Sequence, residues 1–341
     1  MLDLAALRRP VVQAPMAGGP GTVELAAAVV ASGGLGFLAA GYATAAAVRG
    51  EVDELRRLVD GPFGVNVFVP EQTTPDPAAL DRYRAELEPE AERLGTTVGE
   101  PVGGDDDWDE KVVALLELRV PLVSFTFGCP PASVVGALRA TGTTVVVTVT
   151  SPDEARIATQ AGADALCAQG VEAGAHRGSF VNQGPAGAGS DLLTLLREVR
   201  TVTDRALIAA GAIARREDAE AALAAGAVAV QAGTAFLLCP ESGTNPVHRA
   251  ALTERRDRPT VLSRAFTGRP ARGIVNRFVD EHAARAPSAY PHVHQITRPI
   301  RRAALARPDP ECVNLWAGTR LGFVRERPAA EVVEDLSPAR G

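Results

Sequence analysis

Aromatic residues, cysteine pairs and lysine are all scarce in this chain of 341 residues. Aromatic side chains make up 4% of it, so Ala, Val and Leu must fill most of the core. The four cysteines lie far apart and none belongs to a CxxC pair, which argues against a disulfide framework and a structural zinc site. The sole lysine, Lys111, falls on a charged amphipathic stretch. Schiff-base and PLP enzymes need a desolvated lysine, so those classes are disfavoured.

An excess of positive charge and a long apolar run are also missing. The formal net charge is −6, which offers no electrostatic surface for nucleic acid or an anionic membrane. No apolar run reaches the roughly 20 residues of a spanning helix, and the first residues, MLDLAALRRP, do not resemble a signal peptide. We therefore expect a soluble cytoplasmic protein that binds neither nucleic acid nor membrane.

Short apolar runs do alternate with helix-like segments, and this happens eight times. Runs this short and apolar are typical of buried parallel strands joined by helices. Eight such units predict an α/β fold of the (β/α)8 TIM-barrel type. A doubly wound sheet is the alternative, but its glycine turn would follow the first strand, whereas the glycine motifs here come late. The predicted strands are 11–14, 36–40, 64–68, 122–127, 144–149, 165–169, 206–211 and 227–233.

The remainder of the chain is predicted to serve the barrel. Residues 1–240 would form the barrel, interrupted by a charged, Pro-rich segment at 70–118. Residues 241–341 are rich in Arg and Pro and show one helix candidate, at 246–257. We expect them to supply the last barrel helix, a lid and a C-terminal wrap, and not to fold independently.

Residues that directly follow the strands are the candidates for the site, since barrel enzymes place their reactive groups there. Ala210-Gly211 and Gly233-Thr234 follow the last two strands, and Gln231 lies just ahead of the second pair. Glycine allows backbone N–H groups to face one pocket, and a short helix starting near Thr234 would direct its positive end at an anion. A phosphate site is predicted here, with plain tight turns as the alternative.

His176 is the strongest catalytic candidate. It lies in the Gly-rich loop after the sixth strand, whereas the other four histidines fall in the trailing region. An ordinary pKa near 6.5 would suit proton transfer or hydrogen bonding to an anionic substrate. A structural or surface histidine is the alternative. The pair His292 and His294 lacks a third ligand at compatible spacing, so we predict solvated coil and no metal.

Two amide side chains lie on apolar strands, where an unpaired amide would be costly. They are Asn66 and Gln169. One interpretation is hydrogen bonding to neighbouring backbone. The other is that these amides contact the polar edge of a ring system such as a flavin.

Several of these segments, taken in order, resemble the nitronate monooxygenase family, formerly called 2-nitropropane dioxygenases. The segments are QAPMAGG (13–19), GGLGFLAAGY (33–42), PFGVNVF (62–68), VSFTFG (123–128), AQGVEAGAHRG (168–178), LIAAGAI (207–213) and QAGTAF (231–236). Residues 265–278 and 315–322 are similar to the family's trailing segments. The resemblance implies a cytosolic TIM barrel that holds non-covalent FMN. It also implies oxidation of alkyl nitronates, such as propionate 3-nitronate, with O2 to a carbonyl compound and nitrite.

The resemblance also implies roles for individual residues. The backbone at Ala14, Pro15 and Met16 would lie against the isoalloxazine, with Asn66 and Gln169 at its polar edge and Gly174 near the ring. Gly211, Gly233 and Thr234 would hold the phosphate, and Ala210 and Gln231 count as cofactor-binding with them. His176 would be the active-site histidine.

The chain departs from the family pattern at two positions. Thr126 stands where some members carry a histidine, which removes a second-histidine role, and Ala175 stands where glycine is commoner. Both departures bear on substrate preference. Two other functions stay open: an NAD(P)H-dependent FMN reductase of quinones or enoyl thioesters, and a flavin-free barrel that binds a phosphorylated metabolite. A homodimer is also possible.

Overall fold

Eight parallel strands form a nearly closed barrel in the computed structural model, which describes residues 1–71, 74–184 and 186–338. Each barrel strand falls within two residues of its predicted position, which confirms the TIM-barrel prediction. A smaller antiparallel sheet consists of β10, β11 and β7. In chain order the strands are β1 (Val11–Gln13), β2 (Gly36–Ala39), β3 (Phe63–Phe68), β4 (Leu122–Thr126), β5 (Thr144–Val149), β6 (Ala165–Gln169), β7 (Ala175–His176), β8 (Ala206–Ala210), β9 (Ala229–Ala232), β10 (Thr260–Ser263) and β11 (Ala271–Ile274).

The seam between β1 and β2 is bridged by backbone hydrogen bonds. Gln13 N donates to Leu35 O at 3.0 Å, and Leu35 N donates to Val11 O at 2.9 Å. The other neighbours follow the order β1-β9-β8-β6-β5-β4-β3-β2. Because all eight strands run parallel, their carboxyl ends open on one face of the barrel.

Helices cover the outside of the barrel, and several begin at a side-chain cap. Thr22 accepts a hydrogen bond from Leu25 N, and Ser151 accepts one from Glu154 N. No helix of the described residues is long and apolar enough to cross a membrane. The helices are α1 (Val23–Ala31), α2 (Ala45–Leu58), α3 (Pro77–Arg93), α4 (Trp108–Leu118), α5 (Ala132–Ala140), α6 (Pro152–Gln160), α7 (Leu192–Arg200), α8 (Arg216–Ala224), α9 (Pro246–Glu254), α10 (Arg277–His282), α11 (His292–Ala306) and α12 (Ala329–Leu336).

Helix α4 holds the lysine in an unexpected environment. Lys111 is fully buried and its Nζ lies 2.8 Å from an Asp106 carboxylate oxygen. The amine is therefore desolvated, contrary to what the charged stretch suggested, but it is held in an ion pair instead of standing free as a nucleophile.

The segment after residue 240 is richer in structure than predicted. The expectation of a single helix is wrong: α9, α10, α11 and α12 all lie there, together with β10 and β11. α11 packs against α3 from the 70–118 segment, and α12 packs against α1 and α8 on the outside of the barrel. β11 pairs with β7 and so places the trailing segment beside the loop after β6.

Small aliphatic side chains make up the core, as the scarcity of aromatics predicts. Val12, Val146 and Ile208 fill the barrel interior, where Phe37 supplies the one large ring of that cluster among the described residues. Such close-packed interiors deform little, so the strand ends form a rigid base for the cavity above them.

Candidate active site

A cavity of about 680 Å³ lies at the carboxyl ends of the barrel strands. This volume is within the usual range of roughly 300–1,000 Å³ for small-molecule sites. The structure brings every predicted site residue to the wall of this one cavity. They are Ala14, Pro15, Met16, Asn66, Gln169, Gly174, His176, Ala210, Gly211, Gln231, Gly233 and Thr234.

His176 is positioned by the small antiparallel sheet. It forms the end of β7, where it pairs with Ala271 of β11. Its Nε2 lies 2.9 Å from the hydroxyl of Thr267, a residue that also comes from the trailing segment. The imidazole is thus fixed by two contacts that the local sequence around His176 does not contain.

Aromatic rings surround His176 on three sides. Its ring centroid lies 5.6 Å from that of Phe127, 5.8 Å from that of Tyr290 and 5.7 Å from that of Trp316. Three of the few aromatic side chains of this chain therefore lie around His176. They shield part of the imidazole from solvent, and its remaining surface faces the cavity.

This environment changes the titration of His176. Burial, with the charges of Arg269 and Arg301, lowers its pKa to about 3. The expectation of an ordinary pKa is therefore wrong. The ring is neutral at physiological pH, so it can form hydrogen bonds with an anion but is a weak base.

Gln169 uses its amide to hold the loop that carries His176. Its Nε2 donates to His176 O at 3.0 Å, and its Oε1 accepts from Gly178 N at 2.8 Å. Asn66 donates from Nδ2 to the hydroxyls of Ser124 at 2.8 Å and Thr126 at 2.9 Å. Both amides therefore have protein partners while they also line the cavity.

Thr126 belongs to a polar strip on the cavity floor. Its hydroxyl lies 3.4 Å from that of Thr148 on the neighbouring strand, and both side chains line the cavity. The position where some family members carry a histidine is therefore occupied by a small, hydrogen-bonded hydroxyl.

The glycines after β8 and β9 have backbone conformations that allow the main chain to lie close to a ligand in the cavity. Gly211 has a φ of 115°, in the left-handed region that favours glycine. Gly233 precedes a one-turn 3-10 helix, Thr234–Phe236, which is the short helix predicted there. The Thr234 hydroxyl accepts a hydrogen bond from Gly318 N at 3.0 Å.

Gly174 is constrained by the trailing segment. A Cβ at this position would lie 2.6 Å from Gly318 N and 2.7 Å from Ala317 C, so only glycine fits. Gly174 thus allows residues 317 and 318 to pack over the loop after β6, in addition to lining the cavity.

The loop after β1 is pinned by its backbone. Ala14 N donates to Ala232 O at 2.8 Å, and Met16 O accepts from Gly21 N at 2.9 Å. A Cβ on Gly233 would lie 3.3 Å from Ala14 Cβ, so the loops after β1 and β9 are adjacent.

One face of α11 forms a wall that the sequence argument missed. His292 and His294 begin this helix, so the prediction of solvated coil is wrong. The His294 ring stacks on Tyr42 with centroids 4.6 Å apart, and burial lowers its pKa to about 2. The helical spacing of polar residues between 294 and 302 was the signal that could have revealed this face.

Further lining residues were also missed. The α11 face contributes His294, Gln295, Arg298, Arg301, Arg302 and Leu305, and other segments contribute Tyr42, Asp106, His248, Thr267, Asn314, Trp316 and Arg320. Four of these are arginines and one is an aspartate, whose carboxylate Lys111 offsets. The wall is therefore net positive and favours an anionic ligand.

An eight-stranded α/β barrel with a rigid, cationic cavity at its strand ends belongs to the class of barrel enzymes that act on small molecules. The family described as "Nitronate monooxygenase" matches residues 1–339. The chain belongs to the nitronate monooxygenase family, as the resemblance of its motifs implied, and is an oxidoreductase.

Relatives and solved structures agree with this assignment. The chain is 40% identical to the nitronate monooxygenase of Pseudomonas aeruginosa over 343 residues, which cover 98% of this chain and 96% of that protein. It is 35% identical to a probable nitronate monooxygenase of Bacillus subtilis, with 94% and 92% covered.

Among solved structures, it is similar to a nitroalkane oxidase from Streptomyces ansochromogenes, with a TM-score of 0.94, 49% identity and 98% and 96% covered. FabK from Thermotoga maritima is similar at a TM-score of 0.75 and 29% identity, with 98% and 93% covered.

Proposed function

We propose that the protein is an FMN-dependent nitronate monooxygenase of the cytoplasm that oxidises alkyl nitronates of the propionate 3-nitronate kind. Oxygen is consumed, and the products are a carbonyl compound and nitrite. The observation that carries the proposal is His176, half-buried and neutral at physiological pH, in a cavity whose wall is cationic. The family and the nitroalkane oxidase structure support nitronate oxidation in general.

The residues of the cavity suit FMN. Gly211 and Gly233, where backbone lies open to the cavity, and Thr234 would hold the phosphate. The apolar loop Ala14–Met16 would lie against the ring system, with the amides of Asn66, Gln169 and Gln231 available to its polar edge. When bound, FMN supplies the redox chemistry, since it can take electrons from the nitronate and pass them to oxygen.

The protein's own residues would orient the substrate and exclude water. A nitronate is already an anion, so its carbon needs no base, and a neutral imidazole can serve it as a hydrogen-bond partner. The arginines of the wall would attract it. A neutral nitroalkane would instead need a base, and a histidine with a pKa near 3 is a poor one. The site therefore favours the nitronate over the nitroalkane.

An aerobic assay tests this proposal. We expect the purified protein, mixed with propionate 3-nitronate, to consume oxygen and release nitrite without NADH or NADPH. The protonated form, 3-nitropropionate, should react far more slowly. Absence of nitrite with any nitronate would overturn the proposal. Rapid anaerobic bleaching of the flavin by NADH or NADPH would favour a reductase, and a preparation that neither contains nor takes up flavin would favour a phosphometabolite-binding barrel.

The role of His176 is tested by substitution. His176→Asn should lower kcat/KM for the nitronate by about 10–100-fold, because one positioned hydrogen bond to a charged group is lost. His292→Asn is the control, since His292 is not among the residues that line the cavity. Equal rates for His176→Asn and wild type would show that His176 forms no hydrogen bond with the substrate that matters for the reaction.

A further inference from the structure

The two ring nitrogens of His176 have different surroundings. Nε2 lies 2.9 Å from the hydroxyl oxygen of Thr267, a residue that is 2% exposed. In the described part of the chain, no group forms a hydrogen bond with the other nitrogen, Nδ1. Because the ring lines the cavity, Nδ1 is the nitrogen left for a ligand.

The imidazole has a single proton to place on these two nitrogens. Burial and the charges of Arg269 and Arg301 lower the pKa of His176 to about 3, so the ring is neutral at physiological pH. In a neutral imidazole one nitrogen is a donor and the other is an acceptor. The hydrogen bond at Nε2 therefore decides which of the two Nδ1 offers to the ligand.

The Thr267 hydroxyl also has a single proton, and two acceptors lie within its reach. One is Nε2 of His176 at 2.9 Å, and the other is Arg269 O at 3.2 Å. The same hydroxyl oxygen accepts from Arg269 N at 3.4 Å, so one of its lone pairs is already engaged. The shorter contact favours donation to Nε2, which places the ring proton on Nδ1. The opposite arrangement would leave Nδ1 with a bare lone pair, which repels an anion.

The loop that carries Thr267 is fixed by contacts on both sides of that residue. The Thr297 hydroxyl donates to Phe266 O at 2.6 Å, and Ala289 N donates to Gly268 O at 3.1 Å. A Cβ on Gly268 would lie 2.7 Å from Ala289 C, so the two segments are in close contact. The hydroxyl is therefore held at one position relative to the imidazole, as a group that orients another must be.

We propose that Thr267 is a positioning residue: its hydroxyl donates to Nε2 of His176 and thereby keeps the ring proton on Nδ1, directed at the anionic nitronate. This inference rests on the proposed function, because it takes the nitronate to bind at His176. Thr267 would act through the imidazole, by selecting the tautomer that can donate a hydrogen bond to an anion.

Nuclear magnetic resonance measures the tautomer, because a protonated ring nitrogen and an unprotonated one differ in chemical shift. The protein as purified is labelled at histidine, and the signals of His176 are those that His176→Ala lacks. Wild type and Thr267→Ser should carry the proton on Nδ1. Thr267→Val, which removes the hydroxyl at nearly constant size, should lose this preference. A wild-type ring protonated at Nε2 would refute the inference, and this measurement needs no variant at position 267.

Kinetics with propionate 3-nitronate distinguish positioning from a structural role. Thr267→Val should lower kcat/KM by about 3–10-fold, the effect of one ordinary hydrogen bond. The loss should fall mainly on KM, because the anion binds before it reacts. Thr267→Ser, which keeps the hydroxyl, should restore most of the lost kcat/KM. In a His176→Ala background, Thr267→Val should have no further effect, since its partner is gone.

Thr143→Val is the matched control. Thr143 is 1% exposed and its hydroxyl donates to Val120 O at 2.8 Å. It directly precedes β5, at the amino end of the barrel, and is not among the residues that line the cavity. This variant also loses a buried hydroxyl, but it should keep the wild-type kcat/KM. Circular dichroism melts of all variants show whether each is folded.

Two kinetic results would contradict the inference. One is an equal loss from Thr267→Val in the wild-type and His176→Ala backgrounds, since Thr267 would then act on the substrate or the fold without the imidazole. The other is an unchanged kcat/KM in a folded Thr267→Val protein. If no nitronate is oxidised, the proposed function fails instead, and the tautomer measurement decides the role of Thr267 by itself.

Discussion

Ala175 holds a strained backbone conformation directly before the catalytic candidate. Its φ is 61°, in the left-handed region that costs a residue with a Cβ about 1–2 kcal/mol. The glycine that is commoner here in the family is free of this cost, which gives a physical reason for that pattern. In this chain, pairing of β7 with β11 keeps the alanine in place.

Ala175→Gly should therefore stabilise the protein. We expect the free energy of unfolding to rise by as much as about 1 kcal/mol, since the relief of strain exceeds the added entropy of the unfolded chain. Ala47→Gly, at an exposed position in α2, should instead lower it by about 1 kcal/mol. Urea denaturation measures both. A lower stability for both variants would show that Ala175 is unstrained.

The sequence located His176 but not its chemistry. A histidine in a Gly-rich loop after a strand of a predicted barrel is recognisable from local spacing alone. Its low pKa depends on burial and on Arg269 and Arg301, which lie more than 90 residues away in the chain. Local pattern contains no information on which distant side chains surround it.

At the scale of elements, α12 closes the outer layer of helices. It packs between α1 and α8, and Leu336 at its end is fully buried in the cluster between barrel and helices. Leu336→Ala should lower the free energy of unfolding by about 2–5 kcal/mol, the range for a buried leucine.

The comparison for this helix is Leu58→Ala, at the end of α2, where the side chain is 55% exposed. It should cost less than about 1 kcal/mol. Thermal and urea denaturation check both variants. If Leu336→Ala is as mild as the control, α12 contributes little to the stability of the barrel.

Elements differ in how well the sequence reveals them. The barrel strands are short apolar runs with turn residues at either side, and they were predicted with accurate bounds. α11 was not, because Pro299 interrupts its interior and arginines occupy the face that lines the cavity. β10 and β11 escaped notice because their partner β7 has only two residues and lies far away in sequence.

At the scale of the whole molecule, three histidines with lowered pKa values make stability depend on acid. Burial lowers the pKa of His176 to about 3, of His248 to about 4 and of His294 to about 2. In the unfolded chain each would titrate near 6.5. Below that pH the unfolded state binds protons that the folded state excludes, so acid favours unfolding.

Between pH 7 and pH 5, each of these histidines should lower the free energy of unfolding by about 2 kcal/mol. Urea denaturation at the two pH values, without substrate, measures the total. His248→Gln should show a smaller drop by about that amount, whereas substitution of the less buried His292 should change the drop less. A drop that is the same in wild type and His248→Gln would contradict this assignment.

The scarcity of aromatic residues has a practical consequence for the measurement of ligand binding. One of the two tryptophans, Trp316, lies on the cavity wall, and the other, Trp108, is the first residue of α4 and packs against Phe125. After Trp108→Phe, ultraviolet emission from the protein would come from a single indole beside the imidazole. A chromophore bound against that wall would quench the fluorescence of this indole. The loss of fluorescence intensity would then report ligand binding in real time, with no attached dye.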